Sequence, residues 1–227
     1  MNRVSAIIKM HLRDKWISFF LPWAILLSSF LINVFISYLI HNQQSFYTGG
    51  LSSIFISITI IGAVTMAHTF PFALGMSVRR TDYFLGTSLA AILINVVSAL
   101  LLSLLSVVEN ATDGWGVKMH FFNLPLLDTF NVLGHFVVYF VLLMHQHFLG
   151  FAISSIHRRF GLVGLFTFLA AALIVISSLA LLLTHYKLWV GIALWFVGHF
   201  ALFLGCLALA IILYALVSYA LLRRATV

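Results

Sequence analysis

Charge is what this sequence has least of. Charged residues make up 7% of its 227 positions, and only five are acidic, against roughly 25% charged residues in a soluble domain. With 63% hydrophobic residues, the composition excludes a soluble globular domain and indicates an integral membrane protein. The net charge of +7 does not indicate nucleic acid, because the basic residues come in isolated pairs between apolar runs, as membrane topology requires. Cysteine occurs once, at Cys206, which excludes an intramolecular disulfide. No lysine follows a glycine, so the chain has no phosphate-binding loop and does not bind ATP in that way. No acidic residue falls inside an apolar run, which removes paired-carboxylate intramembrane proteases and weakens proton-coupled transport. No serine sits in a GxSxG pattern. No internal repeat supports an inverted-repeat transporter. The chain is not expected to be an enzyme, and neither cofactor nor metal is expected in it.

What is present is a series of long apolar runs. The first sixteen residues form a basic amphipathic stretch, with Val4, Ile7, Ile8 and Leu12 on one face and Arg3, Lys9 and Arg13 elsewhere, which predicts an interfacial helix rather than a cleavable signal. Six runs near or above the ~20 residues that cross the hydrocarbon follow, at 17–40, 51–72, 85–108, 129–156, 161–184 and 188–222. The expected fold is all-α: one six-helix transmembrane domain over 17–222 after the interfacial helix, then a short tail at 223–227. Ten of the twelve lysines and arginines lie in one set of alternating segments (Arg3, Lys9, Arg13, Lys15, Arg79, Arg80, Arg158, Arg159, Arg223 and Arg224), and only Lys118 and Lys187 lie in the other. This bias places both termini in the cytoplasm. Glu109, Asp113 and Asp128 then fall on outer loops, with Trp115, Tyr186 and Trp189 near the outer interface. Asn110-Ala111-Thr112 matches a glycosylation triplet, a pattern common by chance.

Ten histidines raise the question of a metal or haem. By depth, His68, His145 and His147 fall in one half of the membrane and His135 and His199 in the other. The paired-helix pattern of a two-haem cytochrome fails on the second helix, and His145 and His147 are too far apart around a helix to clasp one metal from one face. Asn33 and Asn95 read as packing glue within the first and third spans. The last run would reach about 50 Å as a helix against a core of ~30 Å, so it tilts, breaks or projects. Gly191, Gly198 and Gly205 recur every seven residues along it, which predicts a helix-packing seam or a dimer interface.

The polar break between the second and third runs, residues 70–87, is pinned at both ends. Pro71 predicts a kink or an end to the preceding helix. Thr81 and Asp82 read as a capped helix start. Between Gly75 and Gly86 lie Ser77, Arg79, Arg80, Asp82, Tyr83 and Phe84.

The order of basic interfacial helix, six spans with both termini inside, and FPFALGMSVRRTDYFLGT between spans two and three resembles bacterial ATP-binding-cassette exporter permeases of the type-2 class whose ATPase is encoded separately. The resemblance implies a coupling helix in the loop 73–84 that seats in a cytosolic ATPase, with Gly75, Ser77, Arg79, Arg80, Asp82, Tyr83 and Phe84 as its contacts. It implies ATP and Mg in that partner rather than here, a second permease copy or paralogue, surrounding membrane lipid, no nucleic acid, and a plasma-membrane location. Many members carry re-entrant helices between spans five and six, for which 184–189 leaves no room. The alternative is a non-transporting membrane scaffold, sensor or immunity protein.

Overall fold

The computed structural model describes residues 3–40, 45–124, 127 and 130–223. Parts of the expected spans and tail, including Asp128, Thr129 and Arg224, lie outside them. Among the described residues the chain is all-α apart from one two-residue β pair. Helix α1 is Arg3–Arg13. A π-helical turn, Trp16–Phe20, leads into α2, Leu21–Ile40. Then come β1 (Phe46–Tyr47), α3 (Ser52–Gly75) and α4 (Arg80–Ala111). A left-handed turn, Gly114–Lys118, with positive φ at Gly114, Trp115, Gly116 and Lys118, precedes β2, Met119–His120, which pairs in parallel with β1. The chain continues through α5 (Val132–His185), α6 (Trp189–Gly198) and α7 (Phe200–Arg223).

Among the described residues five helical stretches, Trp16–Ile40, α3, α4, α5 and α7, are long and apolar enough to cross a membrane. At 54 residues, α5 would reach roughly 80 Å if straight, more than twice the bilayer core. It is interrupted at Gly161, whose φ of 70° and ψ of −169° form a backbone state that essentially only glycine adopts. The break falls at the first residue of the expected run five. It is a one-residue break, however, and His157, Arg158 and Arg159 remain helical where a turn was expected.

The interior follows membrane rather than aqueous logic. Along α4 the buried stripe is Gly86, Thr87, Ala90, Ala91, Asn95, Ser98, Ala99, Leu102, Ser103, Ser106 and Glu109. Leu85, Leu89, Leu93, Val97, Leu100 and Leu104 point outward. Small residues inside let backbones approach, and large apolar residues outside cost nothing against lipid. The closest approach is between α3 and α5. A Cβ at Gly62 would fall 2.3 Å from the His147 carbonyl oxygen, and one at Gly150 would fall 2.0 Å from that of Thr59. Beside this crossing Thr59 Oγ1 donates to Gln146 Oε1 at 2.8 Å.

The expected glycine seam on the last run does not pack within this chain. The helix breaks at Gly198–His199 (His199 φ −125°, ψ 32°), so Gly191 and Gly205 stand on different helices. Within the described residues nothing lies within 4 Å of a Cβ at Gly191, Gly198 or Gly205. All three are exposed, and the close packing is at Gly62 and Gly150 instead.

Pro71 does not end the helix: α3 runs through it to Gly75. Proline removes the N–H that would bond the carbonyl four residues earlier, here that of Ala67. Arg158 Nη2 donates to that carbonyl, so a guanidinium from α5 substitutes for the missing helix bond.

Candidate functional site

Arg80, Arg158 and Arg223 lie at one end of the bundle, and that end is tied together by specific contacts. Helix α1 docks on α4 rather than lying loose. Ile7 is buried, and a Cβ at Gly86 would meet Ile7 Cβ at 2.7 Å, so only glycine allows the fit. One turn further, His11 Nε2 and Thr87 Oγ1 are 2.9 Å apart. Ile7, Met66, Phe70, Ala73, Tyr83, Phe151 and Leu222 form a single apolar cluster drawn from α1, α3, α4, α5 and α7.

The elbow between α3 and α4 is a turn of Met76 to Arg79 with no separate helix. It closes as a Schellman motif: Ser77 N–H donates to Leu74 O (2.9 Å) and Val78 N–H to Ala73 O (3.1 Å), satisfying the last carbonyls of α3. The left-handed residue is Ser77 (φ 57°), not a glycine. Helix α4 begins at Arg80 with Arg79 as N-cap and no side-chain cap bond. Thr81 and Asp82 thus lie inside the first turn, not at the cap, and Asp82 faces the positive end of the helix dipole there.

The structure separates the predicted contact residues into two groups. Gly75, Ser77 and Arg79 are exposed, as are Met76 and Thr81. Tyr83 is fully buried: its hydroxyl is 2.7 Å from Thr69 Oγ1 and its ring meets Phe70 edge-on. Phe84 packs on Tyr219 and Phe151. Arg80 Nη1 donates to Arg223 O at 2.7 Å and reaches Leu222 O at 3.4 Å, placing a cation on the C-terminal carbonyls of α7. Arg80, Tyr83 and Phe84 hold the bundle together, which leaves Arg79 as the accessible arginine of the pair.

Between the first π-helical turn and α4 runs an apolar groove of about 340 Å³, lined by Leu12, Phe19, Phe20, Leu93, Ile94 and Val97, with Lys15, His11 and Ser18 as its polar members. His11, Ser18 and Ile94 also wall a small cavity with Thr65, Thr87 and His147. Its volume of about 10 Å³ is at the lower limit for a single water. His147 is buried and its Nδ1 has no partner among the described residues. Burial pushes the His11 imidazole down to about 4, with Asp14 opposing, so His11 is neutral at pH 7. Lone π-turns inside α-helices occur frequently at functional sites, and this one, Trp16–Phe20, forms a groove wall.

At the opposite end Glu109 is not on a loop, as expected from sequence, but fully buried in the last turn of α4. Its Oε2 accepts from Trp115 Nε1 (2.9 Å), Phe121 N (3.0 Å) and Phe122 N (2.8 Å), and its Oε1 accepts from Asn123 N (3.0 Å). A carboxylate at a helix C-terminus opposes the dipole, and these four donors offset that cost. Tyr139 donates its hydroxyl to Phe122 O, fastening the same segment to α5. Sequence reasoning missed this cluster, whose one visible signal was an isolated acid at the end of an apolar run.

The other histidines are placed individually. His135 bridges Ser106 Oγ (3.1 Å) and the Leu127 carbonyl (3.0 Å). His199 Nδ1 lies 3.0 Å from Trp195 O within its own turn. His145 rests against the Tyr214 ring, and His68 is exposed. Of the deep amides, Asn33 bonds back to Ser29 O, while Asn95 reaches the Met144 sulfur at 3.4 Å.

Comparison with family models, with curated proteins and with solved structures gave no match to this chain.

Proposed function

We propose that this chain is the permease subunit of an ATP-driven exporter of the type-2 ATP-binding-cassette class. On this reading it crosses the plasma membrane six times, with α5 supplying two crossings separated at Gly161, and both termini face the cytoplasm. It works as a pair of permeases driven by a separate cytosolic ATPase, which binds the ATP and Mg. The observation that carries the reading is the basic end. There a turn that exposes Met76, Ser77 and Arg79 is mounted on helices locked by Arg158, Arg80 and Tyr83. A push on such a turn moves α3 and α4 as rigid levers rather than deforming a loop. Helix α6 adds support. It is a short apolar helix between the last two long ones, the position at which many permeases of that class carry re-entrant helices, and the break at Gly198 makes the room that the sequence did not suggest.

The shortness of the turn favours the alternative, a non-transporting membrane scaffold, because no separate coupling helix stands there. One experiment separates the two. The tagged chain is isolated from its native membranes in mild detergent and assayed for a co-purifying subunit that hydrolyses ATP. The permease reading expects such a subunit, and expects Arg79→Glu to reduce its recovery several-fold while the melting temperature of the permease stays unchanged. Absence of any nucleotide-hydrolysing partner, or full recovery with Arg79→Glu, refutes it.

A further inference from the structure

We infer that the groove beside the first π-helical turn holds one acyl chain of an anionic phospholipid, whose phosphate lies against Lys15. This site is independent of the exporter reading. Depth is the first argument. Trp16, 70% exposed, and Lys15 mark the level where aromatic rings and lysine ammonium groups meet lipid headgroups. The groove runs from that level along Phe19, Phe20, Leu93, Ile94 and Val97, side chains suited to hydrocarbon. Its volume of about 340 Å³ falls in the range of roughly 300–1,000 Å³ typical of small-molecule pockets.

Charge selects the headgroup. Lys15 is the one formally charged residue lining the groove, and it forms no salt bridge among the described residues. The adjoining helix α1 adds Arg3, Lys9 and Arg13, and Asp14 is the single acid in that segment. A zwitterionic headgroup would set its own cation against this surface, whereas an anionic one leaves only the attraction. The polar wall explains why a chain belongs there. His11 and Ser18 line both the groove and the small cavity bordered by His147, whose Nδ1 is buried and has no partner among the described residues. Hydrocarbon laid over His11 keeps those buried polar groups in a constant environment.

Native mass spectrometry of the full chain in micelles doped with phosphatidylglycerol or phosphatidylcholine tests the site. Wild type is expected to retain one phosphatidylglycerol in preference to phosphatidylcholine. Lys15→Gln should lower that preference on the order of fivefold, the worth of one cation at an anionic membrane surface. Lys9→Gln, on the adjoining helix α1 but outside the groove, should leave it unchanged. Val97→Trp, at an outward-facing position, should fill the groove and abolish retention of either lipid. Equal retention of both lipids by wild type, equal effects of Lys15→Gln and Lys9→Gln, or undiminished retention by a folded Val97→Trp would each overturn the inference. If Val97→Trp does not fold, the two lysine variants decide.

Discussion

Replacing Glu109 by glutamine tests whether a buried carboxylate organises the end of the bundle away from the basic residues. The two side chains have nearly the same shape, so no cavity opens, yet an amide offers one acceptor where the carboxylate offers two. Whichever way the amide turns, an NH₂ faces donors. At the Oε1 position it confronts the Asn123 N–H, and at the Oε2 position it confronts three donors, including the Phe121 and Phe122 amides. The first orientation is the cheaper, and it forfeits one charge-assisted bond and leaves one buried amide unpaired. Hydrogen bonds to charged groups contribute about 1.5–3 kcal/mol and an orphaned buried donor costs about 1–3 kcal/mol, so a net loss of about 2–3 kcal/mol is expected. At the ~2–4 °C per kcal/mol typical of chains this long, the melting temperature should fall by at least ~4 °C, measured by tryptophan fluorescence in detergent. Glu109→Ala should cost more than Glu109→Gln. Trp115→Phe deletes one of the four donors, so its effect should be largely absorbed in the Glu109→Ala background, because residues sharing one network are not additive. A Glu109→Gln protein that melts within one degree of wild type, or a strictly additive double mutant, would refute the reasoning.

Three further outcomes are expected. Arg158→Met should destabilise by about 1–3 kcal/mol by orphaning the Ala67 carbonyl, and Pro71→Ala, which restores the missing N–H, should remove most of that cost; additivity in a thermal-melt cycle would dissociate the two residues. Gly150→Ala, whose new methyl would sit 2.0 Å from the Thr59 carbonyl oxygen, should cost about 1–3 kcal/mol, whereas Gly198→Ala, with open space around it, should leave the melting temperature unchanged or slightly raised. His11 is held at about 4 against 6.5 when unfolded, so between those values the unfolded chain binds more protons; stability is then fully present above pH ~6.5 and lost as pH falls toward ~4, and His11→Gln should flatten that part of the pH–melting curve.

The architecture was legible where periodicity carries it. The long apolar runs, the amphipathic face of α1 and the division of α5 near Gly161 all follow from residue type and spacing. The side-chain roles were less so, for a definite reason. Arg79 and Arg80 are adjacent and chemically identical, yet Arg79 is the extended N-cap (φ −66°, ψ 142°) and is exposed, whereas Arg80, the first residue of α4, lies on the carbonyls of α7. Gly62 and Gly150 mark the closest helix contact, but Gly62 is alone in its run and Gly150 shares its run only with Gly134, sixteen residues away, so no spacing reveals them; Gly191, Gly198 and Gly205 have the spacing and no neighbour among the described residues. Glu109 was misplaced because its partners are mostly backbone N–H groups, which every residue at 121–123 would offer, and a carboxylate's burial cannot be read from donors that carry no sequence signature.

The same physics accounts for the contrast between the two parts of the chain. Up to Gly161 the helices are joined by small-residue contacts and by long-range polar bonds from His11, Tyr83, Glu109, Tyr139 and Arg158. Beyond it the second arm of α5 has no buried residue, and neither has α6. In water that exposure of Phe166, Leu173, Ile174, Val175, Ile176 and Leu181 would be prohibitive, because burial of apolar area is worth about 25 cal/mol per Å². In hydrocarbon the term vanishes, and a helix associates only through close packing or interhelical hydrogen bonds. Thr167 and Thr184 bond the carbonyls of Val163 and Ala180 in their own helix, so they offer little to a neighbour. The arm therefore stands off because nothing in lipid drives it inward, while the first part of the chain holds together through polar contacts that lipid strengthens by excluding water.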